Sequence, residues 1–243
     1  MKLLAVETST DACSAALYID GIVSERFELT PKEHTRLILP MINSLMTEAG
    51  LKPQQLDALG FSCGPGSFTG VRIATGVIQG IAMGADLPVV PVSTLAAIAQ
   101  SFFDKNIVNN QFDKQENDYD PSELNIAFTA MDARMGEIFW GVYQCDGQNV
   151  ANLLGKESVG LACEVEFPYI NGVGVGSGWD VYSQELMTRL ADQVSYYEIG
   201  HLPRASAIAR LAVLGFEQGK GVPVEQAMPV YLRDKVAKKE SER

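Results

Sequence analysis

Ten residues, Cys63-Gly64-Pro65-Gly66-Ser67-Phe68-Thr69-Gly70-Val71-Arg72, have the composition of a phosphate cradle. Three glycines and a proline separate an apolar strand pattern from a helix, and Thr69 stands where it can cap the helix's first free N–H groups. The loop fits neither standard nucleotide fingerprint. It lacks the Gly-Lys-Ser/Thr of a P-loop, and its Gly-x-Gly-x-x-x-Gly spacing is one residue too long for the dinucleotide pattern. A second candidate is Glu7-Thr8-Ser9 at the end of the first strand. Its carboxylate, hydroxyls and backbone N–H groups are what a nucleotide or metal would use, although the same residues also serve to close a turn. Asp132-Ala133-Arg134 sets an acid two residues from a base, which reads as an ion pair or partner contact before it reads as catalysis. Ser67 lies in Pro65-Gly66-Ser67-Phe68-Thr69, not in the Gly-x-Ser-x-Gly elbow of a serine nucleophile. His34 and His201 are far apart with no ligand pattern beside them, which argues against zinc. His34, on the first turn of an apolar helix, reads as an interface or capping residue. Nowhere do a nucleophile, a base and an oxyanion stabiliser come together.

The elements that position these groups are legible from periodicity. Leu3-Leu4-Ala5-Val6 is a buried strand that ends at Glu7, and strands over 13–19 and 22–29 meet at Asp20-Gly21, a hairpin signal. Thr30-Pro31-Lys32-Glu33 offers a capping box with proline at the first helical position. The helix that follows sets Leu37, Ile38, Met41, Ile42, Leu45 and Ala49 on one stripe, with Gly50 beyond its end and Pro40 as a defect within it. A strand over 56–62 feeds the glycine loop. In the helix after the loop, Gly76, Gly80 and Gly84 lie four apart on one face, where each glycine costs roughly 1 kcal/mol relative to alanine. Such a face admits another backbone at close range, either the protein's own sheet or a second chain.

Val89-Val90-Pro91-Val92 is a further strand, and Ser93 caps a helix through Leu95, Ile98 and Phe102. Residues 104–123 turn polar, as a linker or surface insertion would. The pattern then begins again. An apolar strand over 126–131 ends at Asp132, a turn leads to a strand over 138–144, and Asp146-Gly147 mirrors Asp20-Gly21. Gly172-Val173-Gly174-Val175-Gly176-Ser177-Gly178 repeats the strand that runs into a glycine-serine loop, followed by a helix over 180–190. Two related halves, each a hairpin-bearing sheet with helices, are expected. A last helix from Pro203 shows Ile208, Leu211, Ala212 and Gly215 on one face, ahead of an extended Val230-Tyr231-Leu232.

With 243 residues, 47% hydrophobic and 20% charged, the chain reads as a soluble globular protein. Its formal charge of −11 makes it a poor binder of tRNA or DNA by itself, since that affinity comes from lysine and arginine neutralising phosphates. The single cationic cluster spans 233–239. Cys13, Cys63, Cys145 and Cys163 form no C-x-x-C pair, and no leader or membrane-spanning run is evident, so a reduced, cytoplasmic protein is expected.

Gly64-Pro65-Gly66-Ser67-Phe68-Thr69-Gly70-x-Arg72, Met131-Asp132-Ala133-Arg134-Met135-Gly136-Glu137 and Pro229-Val230-Tyr231-Leu232-Arg233, in this order, resemble the TsaB (YeaZ) family. Val6-Glu7-Thr8-Ser9-Thr10 and the residues from His34 to Pro40 agree with it. The resemblance implies an α/β, two-lobed actin-like ATPase fold with a duplicated mixed sheet. One lobe would be 1–104 with the C-terminal 217–243, and a smaller lobe 105–216 would carry the polar insertion near 104–123. It also implies a non-catalytic scaffold for a TsaD-like enzyme that transfers threonylcarbamoyl to adenosine 37 of tRNAs reading codons that begin with A. A TsaE-like ATPase would join, the chain alone would form a homodimer, and tRNA would be met only indirectly. No intrinsic cofactor is expected, with ATP or ADP entering at the level of the complex. Two departures from the wider superfamily fit this. Ser93-Thr94-Leu95-Ala96-Ala97-Ile98 stands where TsaD relatives carry metal histidines, and Glu7-Thr8-Ser9 stands in place of Asp-x-Gly, leaving Glu7, Thr8 and Ser9 as weak nucleotide-site candidates. The expected partner surface joins the two helices of the first lobe through His34, Leu37, Ile38, Met41, Ile42, Leu45, Gly70, Arg72, Thr75, Gly76, Gln79 and Gly80. The rival reading is an ATP-dependent kinase or peptidase of the same fold.

Overall fold

A computed structural model describes residues 1–112 and 125–233. The first half opens with three antiparallel strands, β1 (Lys2–Glu7), β2 (Ala12–Ile19) and β3 (Ile22–Leu29). Asp20 and Gly21, at φ 46° and 98°, make the tight turn expected between β2 and β3. Helix α1 (His34–Glu48) leads to β4 (Ala58–Gly64), which pairs parallel to β1; α2 (Phe68–Ala85) leads to β5 (Val89–Ser93), parallel to β4. The sheet order is therefore β3-β2-β1-β4-β5.

Helix α3 (Thr94–Phe112) crosses to the second half, where the order is built again. Strand β6 (Ile126–Arg134) pairs antiparallel with β7 (Glu137–Cys145), and β7 pairs antiparallel with both β8 (Ala151–Leu153) and β9 (Ser158–Leu161). Strand β10 (Gly172–Val175) lies parallel to β6, and helix α4 (Ser177–Arg189) carries the chain to β11 (Val194–Glu198), parallel to β10. Read from the hairpin edge, β8-β7-β6-β10-β11 matches β3-β2-β1-β4-β5 strand for strand and direction for direction. The halves differ where α1 stands in the first. In that place the second half has a 3-10 turn, Ala162–Glu164, with Ala162 and Val165 in the core.

Four apolar layers hold the sheets. One face of the first sheet, with Leu4, Val6, Leu17 and Phe61, packs against α1 and α2. Its other face, with Leu3, Ala5 and Val90, packs against α5 (Ala205–Glu217) through Ala205, Ile208 and Ala212. The second sheet buries Ala127, Phe139 and Val173 against Leu95, Ile98 and Phe102 of α3, and Phe128 and Trp140 against Trp179 and Leu186 of α4. The last helix thus returns to the first sheet from residue 205, earlier than the expected boundary at 217. Residues 104–112 of the expected polar insertion are the continuation of α3, and the remainder of that insertion, like the cationic residues after Arg233, lies outside the described residues.

Two local expectations are corrected. The capping box before α1 does not form: Lys32 turns to φ 68°, the helix begins at His34, and the Thr30 hydroxyl donates to Glu28 (3.4 Å). The cap of α2 is Ser67, whose Oγ accepts from the Gly70 N–H (3.4 Å), and not Thr69, which is the second helical residue. Pro40 is tolerated within α1, on its exposed side. Among the described residues, no helix is long and apolar enough to cross a membrane.

Candidate partner face and interlobe cleft

The end of β1 and the glycine loop prove to be two halves of one clasp. The Thr8 hydroxyl donates to the Gly70 carbonyl (2.7 Å), and the Ser67 N–H donates to the Ser9 carbonyl (2.7 Å). A Cβ on Gly66 would stand 2.6 Å from the Ser9 carbonyl oxygen, so this glycine is set by the approach of the β1 turn. Glu7 and Thr8 are wholly buried and Ser9 is 1% exposed. The Glu7 carboxylate accepts from the Ser9 N–H, and its other oxygen makes no regular hydrogen bond. Burial pushes its pKa up, with the Ser9 and Ser62 hydroxyls pulling the other way. The candidate nucleotide residues Glu7, Thr8 and Ser9 thus hold the β1 turn against the glycine loop, with Glu7 and Thr8 out of reach of solvent and Ser9 at the edge of the cleft. Among the described residues, no three His, Cys, Asp or Glu side chains gather as metal ligands.

In front of the clasp lies a cleft of about 600 Å³ between the lobes. The first lobe supplies Ser9 to Asp11 and Pro65 to Phe68; the second supplies Met131 to Arg134, Ser177 and Asp180; and Val230 to Arg233 close one side. Asp132 and Arg134 form the ion pair read from their spacing (3.1 Å), while the Arg134 N–H also donates to Asp132 (2.8 Å) and the Asp132 N–H donates to Ser177 Oγ (3.2 Å). Sequence reasoning missed a second polar junction. Glu157, before β9, accepts from the hydroxyls of Ser93 and Tyr143, so a loop of the second lobe is tied to the cap of α3. Ser93 Oγ itself accepts from the Leu95 N–H (3.1 Å), as its capping role requires. With burial, that carboxylate raises the Tyr143 pKa well above its usual value.

The expected partner surface divides in two. His34 is buried, with Nε2 2.8 Å from the Thr10 carbonyl and 3.2 Å from that of Ala12, so it staples α1 to the β1–β2 turn. Ile38, Met41, Ile42 and Leu45 sit in the first sheet's core and Leu37 packs against it. These five face inward because the apolar stripe of α1 is the face that covers β2. Gly70 and Thr75 are likewise buried, and the Gln79 amide donates to the Ala227 carbonyl (2.8 Å). Arg72, Gly76 and Gly80 remain on the surface.

The outward face of α2 is open. Ala74, Ile78 and Ala82 point to the sheet; Gly76, Gly80 and Gly84, two residues on, are turned by about 200°, and a Cβ on any of them would meet nothing within 4 Å. Phe68 (56% exposed) and Met83 (76% exposed) extend this face at its two ends. The Arg72 guanidinium lies over the Phe68 ring, 3.3 Å from its centroid. Phe68 was detectable from sequence, since it continues the four-residue spacing of Arg72, Gly76 and Gly80.

A duplicated strand order with helices on both faces and a cleft between the halves defines a two-lobed protein of the actin-like ATPase fold. A family profile described as "TsaD: tRNA N6-adenosine threonylcarbamoyltransferase" matches residues 15–240. The chain is 38% identical to the tRNA threonylcarbamoyladenosine biosynthesis protein TsaB of Escherichia coli, over 98% of this chain and 96% of that protein. It is 36% identical to TsaB of Haemophilus influenzae, over 97% and 95%. The solved structure of YeaZ from Pseudomonas aeruginosa superposes with a TM-score of 0.82 at 37% identity, covering 95% of this chain and 99% of that one. The chain belongs to the TsaB family of tRNA threonylcarbamoyladenosine biosynthesis proteins.

Proposed function

We propose that this chain is an accessory, non-catalytic subunit in the formation of threonylcarbamoyladenosine in tRNA, and that it works by docking a TsaD-like catalytic subunit on the outer face of α2. The observation that carries the reading is the open glycine face. Three glycines within a helix each cost roughly 1 kcal/mol and fill no space inside this monomer. A second helix laid on Gly76 and Gly80 would approach at backbone distance, with Phe68, Arg72 and Met83 as larger anchors at the ends. In the absence of that partner, the same face pairs with a second copy about a two-fold axis.

The charge of −11 supports leaving tRNA contact to the partner, and a TsaE-like ATPase completes the assembly. Nucleotide enters at the level of the complex, because the β1 turn is closed by residues 66–70. The segment after β5 supports the non-catalytic role: Ser93 is a helix cap, and Leu95, Ala97 and Ile98 are core residues with no ligating atom. The working compartment is the cytoplasm.

The test is reconstitution of the modification from tRNA, threonine, bicarbonate and ATP with the other pathway proteins, with and without this chain. Modified adenosine that forms only when the chain is present, with no turnover by the chain alone, is the expected result. Turnover of ATP or of a peptide by the purified chain would overturn it in favour of a kinase or peptidase.

A further inference from the structure

Residues 228–233 run across the mouth of the cleft and touch both lobes. The segment leaves Ala227, whose carbonyl is held by Gln79 of α2. The Val230 N–H then donates to the Cys63 carbonyl at the end of β4 (2.7 Å). The Val230 carbonyl oxygen passes 2.6 Å from the position of a Cβ on Gly64, which stands at φ 118°, so only glycine admits the segment there. Tyr231 leans on Phe68, with ring centroids 6.0 Å apart. Beyond this point the contacts belong to the other lobe. Leu232 packs against the core between α3 and the second sheet. Arg233 donates to the Glu137 carboxylate and to the Arg134 carbonyl (3.3 Å).

The receiving turn is an unusual one. Arg134, Met135 and Gly136 have φ of 64°, 60° and 82°, three successive left-handed residues, two of which carry side chains. Such a turn needs outside support, and Arg233 supplies it at a carbonyl and a carboxylate. Arg134 of the same turn lines the second-lobe wall of the cleft, beside Met131 to Ala133.

We infer that residues 228–233 are a latch that fixes the angle between the two lobes, with Arg233 as the bolt held in the β6–β7 turn. The latch makes the chain a rigid platform and keeps the cleft at one width. It differs from ordinary packing of a chain end in one consequence: loosening Arg233 on the second lobe frees the Val230 N–H on the first.

Hydrogen exchange on the full chain reads this directly. In Arg233→Ala, protection of the Val230 amide and of the amides of 134–137 falls at least tenfold, while the amides of β1 and of residues 126–131 in β6 keep their wild-type rates. Glu137→Gln, a half-exposed position where the side chain keeps its size, gives the same pattern more weakly, and Arg233→Lys falls between. A second readout is the interlobe distance between spin labels on Cys163, which is exposed, and on Lys52→Cys, in a Cys145→Ser background. Its distribution broadens in Arg233→Ala. An unchanged Val230 amide together with an unchanged distance distribution would overturn the latch. Loss of protection confined to 134–137 would reduce Arg233 to a local brace of its turn, and would equally overturn it.

Discussion

The carbonyl oxygen of Thr8 lies 2.0 Å from the point where a Cβ on Gly70 would stand. Gly70 and Gly80 share one helix and one residue type, yet the first has a backbone pressed against it and the second has empty space. The Gly70→Ala substitution must push the β1 turn away from α2, and with it the bond from Thr8 to the Gly70 carbonyl. The expected cost is about 2–4 kcal/mol in denaturant unfolding. Gly76→Ala meets nothing and gains helix propensity, so it should stabilise the monomer by roughly 0.5–1 kcal/mol. If the two variants shift the midpoint in the same direction, the clasp is misread.

His34→Ala removes the group that bridges α1 to the carbonyls of Thr10 and Ala12. The Ala12 carbonyl then loses this contact in a buried position and the Thr10 carbonyl in a part-buried one, at about 1–3 kcal/mol. Since Thr10 lines the cleft, the variant should also speed hydrogen exchange at residues 10–12. A histidine at a partner face would instead leave monomer stability untouched and weaken association.

Two carboxylates give the stability opposite slopes with pH. Glu198, held by His201 and Lys105, titrates at about 2 in the fold against an ordinary 4.5. Its contribution is complete above pH 4.5 and is lost as pH falls from there toward 2. Glu7 is shifted upward by burial, so the folded state holds its proton more tightly than the unfolded chain does. Stability from Glu7 is complete below its ordinary 4.5 and declines as pH rises through the raised value. Glu198→Gln should therefore flatten the acid limb of a stability profile, and Glu7→Gln should flatten the decline above it. An acid limb unchanged in Glu198→Gln would show that the ion pair does not act on folding.

Local signals carried much of this architecture. Asp20-Gly21 and Asp146-Gly147 marked their turns, Ser93 its cap, and the repeated order of strand, acid, turn and strand the duplication. What the sequence left open was which partner each face has. The stripe of α1 is apolar whether it covers its own sheet or another chain, and here Ile38 and Leu45 cover the sheet. The glycines of the cradle read as a phosphate loop because a bound anion and a folded-back strand end demand the same absence of side chains. The pairing of Thr8 with Gly70 spans 62 residues, and that of Arg233 with Glu137 spans 96, so no local window contains either.

The partner face is tested by filling it. Gly80→Leu places a branched side chain into open solvent on the monomer, where a helix interior accepts it with a small gain in propensity. Folding should therefore be unchanged or slightly improved. In a complex where a helix lies directly on Gly76 and Gly80, the same side chain forces the backbones apart and removes contacts along the whole face. An affinity loss of tenfold or more, equal to about 1.4 kcal/mol, is expected both for the TsaD-like subunit and for self-association, measured by light scattering and sedimentation. Asn43→Leu, exposed on α1, is the control for adding the same bulk elsewhere on the lobe. If Gly80→Leu binds as the wild type does, the glycine face is bare for another reason and the docking surface must be sought elsewhere on the molecule.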